Sequence, residues 1–285
     1  MNIYEEALNI VESKARARNP ETETDYRSED GILHCGICNA PKETRLTIFN
    51  KERLLPIPCQ CEKERMAKEK EESERREKED RIRRLKGIGL TDASMAQKVF
   101  ANDDHGNPEM SEVCRNYADN FVEMKKMKKG LLLFGPVGTG KTFLATCIAN
   151  QLLDEGHACL VTNFAKLCNK MQAYREDRNI YLESLNEFEL LVIDDLAAER
   201  KTEYMEELIY TIIDSRYRSG LPIIVTTNMT ADELKYAADV RKQRINSRLM
   251  EMCMIYEVKG DDRRVEKFAE DYIKIREILE KERTD

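Results

Sequence analysis

Leu131-Leu132-Leu133-Phe134-Gly135-Pro136-Val137-Gly138-Thr139-Gly140-Lys141-Thr142 is a strand-length apolar run that breaks into a glycine-rich turn and ends in Lys-Thr. The turn matches G-x-x-x-x-G-K-[ST] between a strand pattern and a helical pattern, the context that makes this motif specific. Gly135, Gly138 and Gly140 let backbone N–H groups close around phosphate oxygens without obstruction by a Cβ. The helix that follows turns its positive N-terminal end toward the same anion. Pro136, Val137 and Thr139 complete the loop. Lys141 is expected to reach the β- and γ-phosphates, and Thr142 to place its hydroxyl on Mg²⁺, an ion bound through few protein ligands.

Outward from this turn, short apolar runs recur at 131–134, 158–162, 189–193, 223–227 and 253–258, separated by helix-length segments. That alternation predicts an α/β domain with a doubly wound parallel sheet. Two of the runs end in polar side chains. Leu190-Leu191-Val192-Ile193 runs into Asp194-Asp195, and Ile223-Ile224-Val225 runs into Thr226-Thr227-Asn228. Open α/β sheets bind ligands beyond the carboxyl ends of their strands. Asp194 is therefore expected to hold Mg²⁺ through water, Asp195 to polarise an attacking water, and Asn228 to place its amide between that water and the γ-phosphate.

Composition sets bounds on the rest. The 285 residues suffice for one or two domains. Lys plus Arg number 47 against 54 Asp plus Glu, a net charge of −7, which excludes a strongly cationic nucleic-acid coat and leaves room for a local basic patch. No apolar run approaches the ~18 residues of a membrane span. Met1-Asn2-Ile3-Tyr4-Glu5-Glu6 lacks the basic segment and apolar core of a secretory signal, so cytoplasmic residence is expected. Of the nine cysteines, Cys114, Cys147, Cys159, Cys168 and Cys253 are scattered through helix- or strand-like stretches, which argues against a disulfide framework.

The other four are clustered, as Cys35-Gly36-Ile37-Cys38 and Cys59-Gln60-Cys61. Two thiolate pairs in short turns suit tetrahedral Zn²⁺, and four such ligands leave no open position for a catalytic water. His34 is an alternative ligand. A module of this size has little core, so a bound metal would supply much of its stability. Glu62 to Lys86 then carries eleven positive and nine negative residues, with Glu and Lys or Arg often three or four apart, which predicts a solvated helix. Gly87 and Gly89 mark the passage into globular composition. Ile3, Ala7, Leu8, Ile10 and Val11 suggest a short amphipathic helix before a polar linker. The expected organisation is a zinc-binding adaptor over 1–61, a charged helix and linker over 62–89, and an ATPase domain over 90–285.

Through Gly135–Thr142, Leu190–Asp195 with its continuation Leu196-Ala197-Ala198-Glu199, and Thr226-Thr227-Asn228, the chain resembles the AAA+ ATPases of the bacterial helicase-loader type (DnaC-like), with the transposition ATPase IstB as near kin. The resemblance covers roughly residues 90 to 270, and Asp214 to Gly220 is a weaker match to the helix leading into the fourth strand. It implies MgATP as cofactor. Within Arg244-Ile245-Asn246-Ser247-Arg248-Leu249 it implies an arginine that completes a neighbouring subunit's site, Arg248 being the better match and Arg244 the second. Arg263 or Arg264 is implied as a contact to nucleotide in the same chain.

The partners implied are a replicative helicase gripped by residues 1 to about 86, further copies of the chain, and single-stranded DNA. DNA would meet Asn163 to Lys170 and Arg175 and Arg178, with Lys166 and Lys170 on phosphates and Phe164 or Tyr174 stacking bases. Three other readings share the nucleotide site: a transposition accessory ATPase on duplex DNA, a small-molecule P-loop kinase, and a binding module with structural nucleotide. Most AAA+ ATPases carry Asp-Glu where this chain has Asp194-Asp195, and the shorter acid reaches less far toward water. Hydrolysis should therefore be slow and switch-like. Asp195→Glu is expected to raise the single-turnover rate; an unchanged or lower rate counts against that reading.

Overall fold

The computed structural model describes residues 10, 13–14, 16–17, 20–48, 51–174, 177–196, 203–236 and 239–280. The expected N-terminal amphipathic stretch, apart from Ile10, lies outside these residues, as do Arg175 and the continuation Ala197-Ala198-Glu199. The chain divides into two compact units, Met1–Glu79 and Asp80–Asp285.

In the first unit, β1 (Tyr26–Arg27) pairs antiparallel with β2 (Leu33–His34), and β3 (Glu43–Ile48) pairs antiparallel with β4 (Lys51–Pro56) in a register from Glu43↔Pro56 to Ile48↔Lys51. The long helix α1 (Gln60–Gly89) follows. Apolar burial here is slight: among the described residues only Leu33, Cys35 and Cys59 join the buried hydrophobic set. Charged groups fill the gap. Lys42 is buried and donates to Asp25 at 2.6 Å and to the Pro20 carbonyl at 2.7 Å. Burial alone would raise the Asp25 pKa, but the Lys42 ammonium and the Thr22 and Gly36 N–H groups outweigh it and bring it down to about 2. Stability from this pair is thus present above the ordinary carboxylate range and is lost as pH falls toward about 2. Buried Glu43 accepts from Arg27 at 3.0 Å and from the Leu33 N–H.

The second unit is built on a five-stranded sheet in the order β6-β7-β8-β5-β9, all parallel: β5 (Gly130–Phe134), β6 (Cys159–Asn163), β7 (Leu190–Leu196), β8 (Ile223–Thr227) and β9 (Cys253–Glu257). All five apolar runs of the sequence are strands. Alternate side chains feed two cores, as expected of a parallel sheet covered on both faces. Leu131, Leu133, Val192 and Ile224 pack beneath α2 (Pro108–Asp119), α3 (Phe121–Lys126) and α4 (Lys141–Asp154). Leu132, Leu191, Ile193 and Val225 pack beneath α5 (Phe164–Ala173), α6 (Arg178–Leu185), α7 (Glu203–Ser219), α8 (Ala231–Lys235) and α9 (Val240–Met252). A last helix, α10 (Arg263–Glu280), ends the described chain.

Two local features depart from the sequence expectation. Helix α1 does not stop at Lys86 but runs through both glycines to Gly89. Leu85 and Leu90 pack on the core beside it and Lys86 pairs with Asp154 at 2.6 Å. A Cβ on Gly89, where the helix ends, would stand 2.2 Å from the Cys159 carbonyl oxygen, so this glycine permits a close approach to β6. The matched Asp214–Gly220 segment, for its part, contributes a fully buried guanidinium. Arg216 donates to the Pro222, Leu185 and Glu189 carbonyls at 2.9–3.2 Å, tying α7 to the entries of β7 and β8. Its pKa falls to about 10 through burial, which still leaves it charged at neutral pH.

Candidate functional site

The strand order places β5 between β8 and β9, so the turn after β5 opens beside the carboxyl ends of β7 and β8. Gly135, Gly138 and Gly140 take φ values of 139°, 82° and 96°, which an L side chain adopts only under strain. Lys141 begins α4 and is buried. Its ammonium donates to the Gly135 and Pro136 carbonyls at 2.9 and 2.5 Å, which folds it over the loop. Burial lowers its pKa, opposed by Asp195 and Asp194.

Across the cleft, Asp194 Oδ1 accepts from Thr142 Oγ1 at 2.7 Å and from Thr226 Oγ1 at 2.5 Å. Asp195 leaves the ladder. The β7–β8 register shifts between Ile193 and Leu196, Asp195 takes φ 61°, and its N–H donates to Thr226 Oγ1 at 2.9 Å instead of to a carbonyl. Asn228 Nδ2 then donates to Asp195 Oδ1 at 2.9 Å. Burial, and next the neighbouring Asp194, raise the Asp195 pKa. The left-handed backbone is one that Asp tolerates better than Glu. Asp195→Glu thus carries a backbone cost that the motif alone does not reveal.

The two adjacent arginines both line a cavity of about 430 Å³ that Lys141, Thr142, Asp194, Asp195 and Asn228 also line. Arg263 pairs with Asp104 at 2.7 Å and packs against Gly140 and Gly106. The charge of Arg264 acts on both Lys141 and Asp195. Lys98, Asn102 and Asp104 line the same cavity, and sequence reading missed them. They belong to no motif: Lys98 follows the 3₁₀ turn Ala93–Gln97, Asn102 ends the 3₁₀ turn Phe100–Asn102, and only the fold brings this segment to the phosphate turn. Thr226 belongs to the third polar strand end, and its bridging of both acids shows only in the fold.

Other expected residues stand apart from this cavity. Arg248 is half-buried, pairs with Asp214 at 2.6 Å and lies 4.5 Å over the Tyr210 ring and 5.6 Å over that of Tyr217. Arg244 is exposed, with no partner among the described residues. Phe164, expected to stack bases, is 1% exposed: it points from α5 into the core beneath the sheet and offers no face to a ligand. Lys166 is held by Asp92 at 2.7 Å. Tyr174 is half-exposed and stacked on Tyr181 at 5.5 Å, Lys170 is exposed, and Arg178 donates to the Tyr204 hydroxyl at 3.1 Å.

In the first unit, the Sγ atoms of Cys35, Cys38, Cys59 and Cys61 all lie within 4.8 Å of one another. Zn–S bonds of about 2.3 Å put tetrahedral sulfurs roughly 3.8 Å apart, so a small contraction fits this set to zinc. The first pair lies on a tight turn, where Cys35 N–H donates to the Ala40 carbonyl and Asn39 N–H to the Cys35 carbonyl, with Asn39 at φ 57°. The second pair sits at the start of α1. Backbone N–H groups of Cys61 and Ala40 bring the Cys38 thiol down to about 6, while its bond to Cys38 pushes Cys61 up to about 12. A cluster already favouring one thiolate suits a cation. His34 is no part of it: its Nδ1 meets the Asn39 carbonyl and its ring stacks on Tyr26.

The phosphate-type turn, the paired acids and the β6-β7-β8-β5-β9 order of the five parallel strands define an ATP-binding domain of the AAA+ P-loop kind. The chain belongs to the family of IstB-like ATP binding proteins, whose pattern it matches over residues 72–270. It is similar to the replicative helicase loader DnaI of Bacillus subtilis (strain 168), 28% identical over 149 residues that make up 48% of each chain. It is also similar to a putative insertion sequence ATP-binding protein of Sinorhizobium fredii (strain NBRC 101917 / NGR234), 36% identical over 107 residues, 36% of this chain and 35% of that one. These matches span about half or less of the relatives' length. Among solved structures, a crystal structure of DnaI superposes with a TM-score of 0.51 at 25% identity, over 63% of this chain and 99% of that one. No described helix is long and apolar enough to cross a membrane.

Purified in the presence of zinc, the chain is expected to carry one equivalent of metal by atomic emission. Cys59→Ser should lose it together with the folding of residues 20–61, read by amide exchange, while the second unit keeps its melt. A metal-free wild type with the same exchange pattern contradicts the metal centre.

Proposed function

We propose that this protein is a slow, switch-like ATPase that delivers a replicative helicase onto single-stranded DNA. The ATPase part of the reading is carried by the convergence of Lys141, Thr142, Asp194, Asp195, Asn228 and Arg264 on one cavity at the strand ends, and the loader part is supported by the similarity to the replicative helicase loader DnaI. Mg²⁺, when bound, would neutralise charge developing on the phosphates. Thr142 and Asp194 would hold it, and their hydrogen bond shows that both already point at one place. Lys141 would exchange its two loop carbonyls for phosphate oxygens. Asp195, with its pKa raised and its side chain oriented by Asn228, would accept a proton from the attacking water. Arg264 would meet the γ-phosphate end, and Arg263, with Asp104, the other end.

The arginine segment on α9 is assigned to a neighbouring copy's site, consistent with its exclusion from the chain's own cavity. Arg248 would leave Asp214 for that role, and Arg244 is the second candidate. The first unit, with structural zinc, is assigned to helicase capture, and the exposed face of α1 to a spacer. For DNA, Phe164 is withdrawn, and Lys170 and Tyr174 remain as the surface contacts.

The transposition reading keeps one specific support, the similarity to an insertion-sequence ATP-binding protein. Capture on immobilised replicative helicase in MgATP and in MgADP separates the two. A loader is retained through residues 1 to 86 in a nucleotide-sensitive way. No capture, with ATP-dependent binding to duplex DNA instead, contradicts the loader and supports the transposition ATPase. Phosphate release without any acceptor is expected in both cases and would exclude a kinase.

A further inference from the structure

Helix α10 carries exposed apolar side chains that join neither buried core among the described residues; Phe268 and Tyr272 meet only each other's rings, 5.8 Å apart. Val265, Phe268, Tyr272, Ile275, Ile278 and Leu279 are each more than half exposed, and every residue from 271 to 280 is exposed. The first turn is anchored at the phosphate loop, where Arg263 N–H donates to the Gly138 carbonyl at 3.3 Å. Beyond it an 18-residue helix, about 27 Å long, displays this surface to solvent.

The spacing of that surface, taken with the charges that flank it, points to a second copy of the same helix. Val265, Phe268, Tyr272, Ile275 and Leu279 step by 3, 4, 3 and 4, the a/d alternation of a coiled-coil seam over two heptads, with exposed Ile273 outside it at b. In this heptad frame Asp271 falls at g and Arg276 at e. Two helices side by side and in parallel bring g of one chain to the e position five residues on in the other, so Asp271 meets Arg276 of the second copy, twice by symmetry. Asp271 has no partner in its own chain among the described residues, and Arg276 reaches only the exposed Glu280, at 2.9 Å. Ile278, at g of the second heptad, widens the seam beside Leu279.

We propose that α10 is a self-association surface through which two copies of this chain pair as a short parallel coiled coil. The surface is separate from the arginine segment of α9 and owes nothing to the nucleotide reading.

Sedimentation equilibrium of the full chain tests it, because substitutions on an exposed face leave the fold intact, as thermal melts will verify. Wild type is expected to dimerise, and Lys141→Ala to dimerise equally. Ile275→Glu should be monomeric. Asp271→Arg and Arg276→Asp should each weaken the dimer roughly fivefold, the effect of spoiling two exposed ion pairs. The double reversal should restore it to within about twofold. A monomeric wild type, a dimer that survives Ile275→Glu, or a double reversal no better than the singles each overturns the proposal. The last of these would point to antiparallel pairing or a different protein on this face.

Discussion

Asp194 accepts two hydroxyl hydrogen bonds on one carboxylate oxygen, from Thr142 at the start of α4 and from Thr226 near the end of β8. Three separate elements of the sheet and its first helix thus meet at one atom. Thr226 carries the arrangement one residue further by accepting the N–H of Asp195, whose backbone has turned out of the ladder. The two acids are therefore not equivalent. One is tied down by neutral donors, in the place where a cation would exchange with them. The other stands in a left-handed conformation with a raised pKa and an amide from Asn228 to orient it.

The body of the second unit serves to hold this junction still. Leucine, isoleucine and valine from four strands, with Cys253 and Tyr256 from β9, pack on the two faces of the sheet, so the strand ends cannot shift without opening one core or the other. Arg216 fixes the opposite ends of the same strands by filling three carbonyls from inside. The first unit solves a different problem. With little apolar area to bury, it buries paired charges and gathers four thiols, a set compatible with a metal ion.

Much of this was legible in the residues. The five strands, the phosphate turn and the acid pair announce themselves because apolar periodicity and glycine spacing are local properties. The four cysteines are equally plain, since few other demands put two thiol pairs so close in sequence. What stayed hidden depends on three-dimensional neighbours. Lys98, Asn102 and Asp104 have no motif and acquire a role only because their segment folds against the phosphate turn. Gly89 reads as a change of composition, and its close approach to Cys159 shows only in the fold. Phe164 follows a strand, as a base-stacking residue would, yet an amphipathic helix hides one face, and periodicity on ten residues does not say which. Arg263 and Arg264 are indistinguishable in sequence; only the positions of Asp104 and Asp195 separate them.

The central claim is that one cavity at the strand ends is a MgATP site organised by the phosphate loop and the Asp194 junction. Calorimetric titration of ATP, with and without Mg²⁺, into wild type and Lys141→Ala tests it most directly. The account predicts that wild type binds with Mg²⁺ more tightly than without, and that Lys141→Ala loses binding while keeping its thermal melt. A Lys141→Ala chain that binds MgATP as tightly as wild type would contradict it.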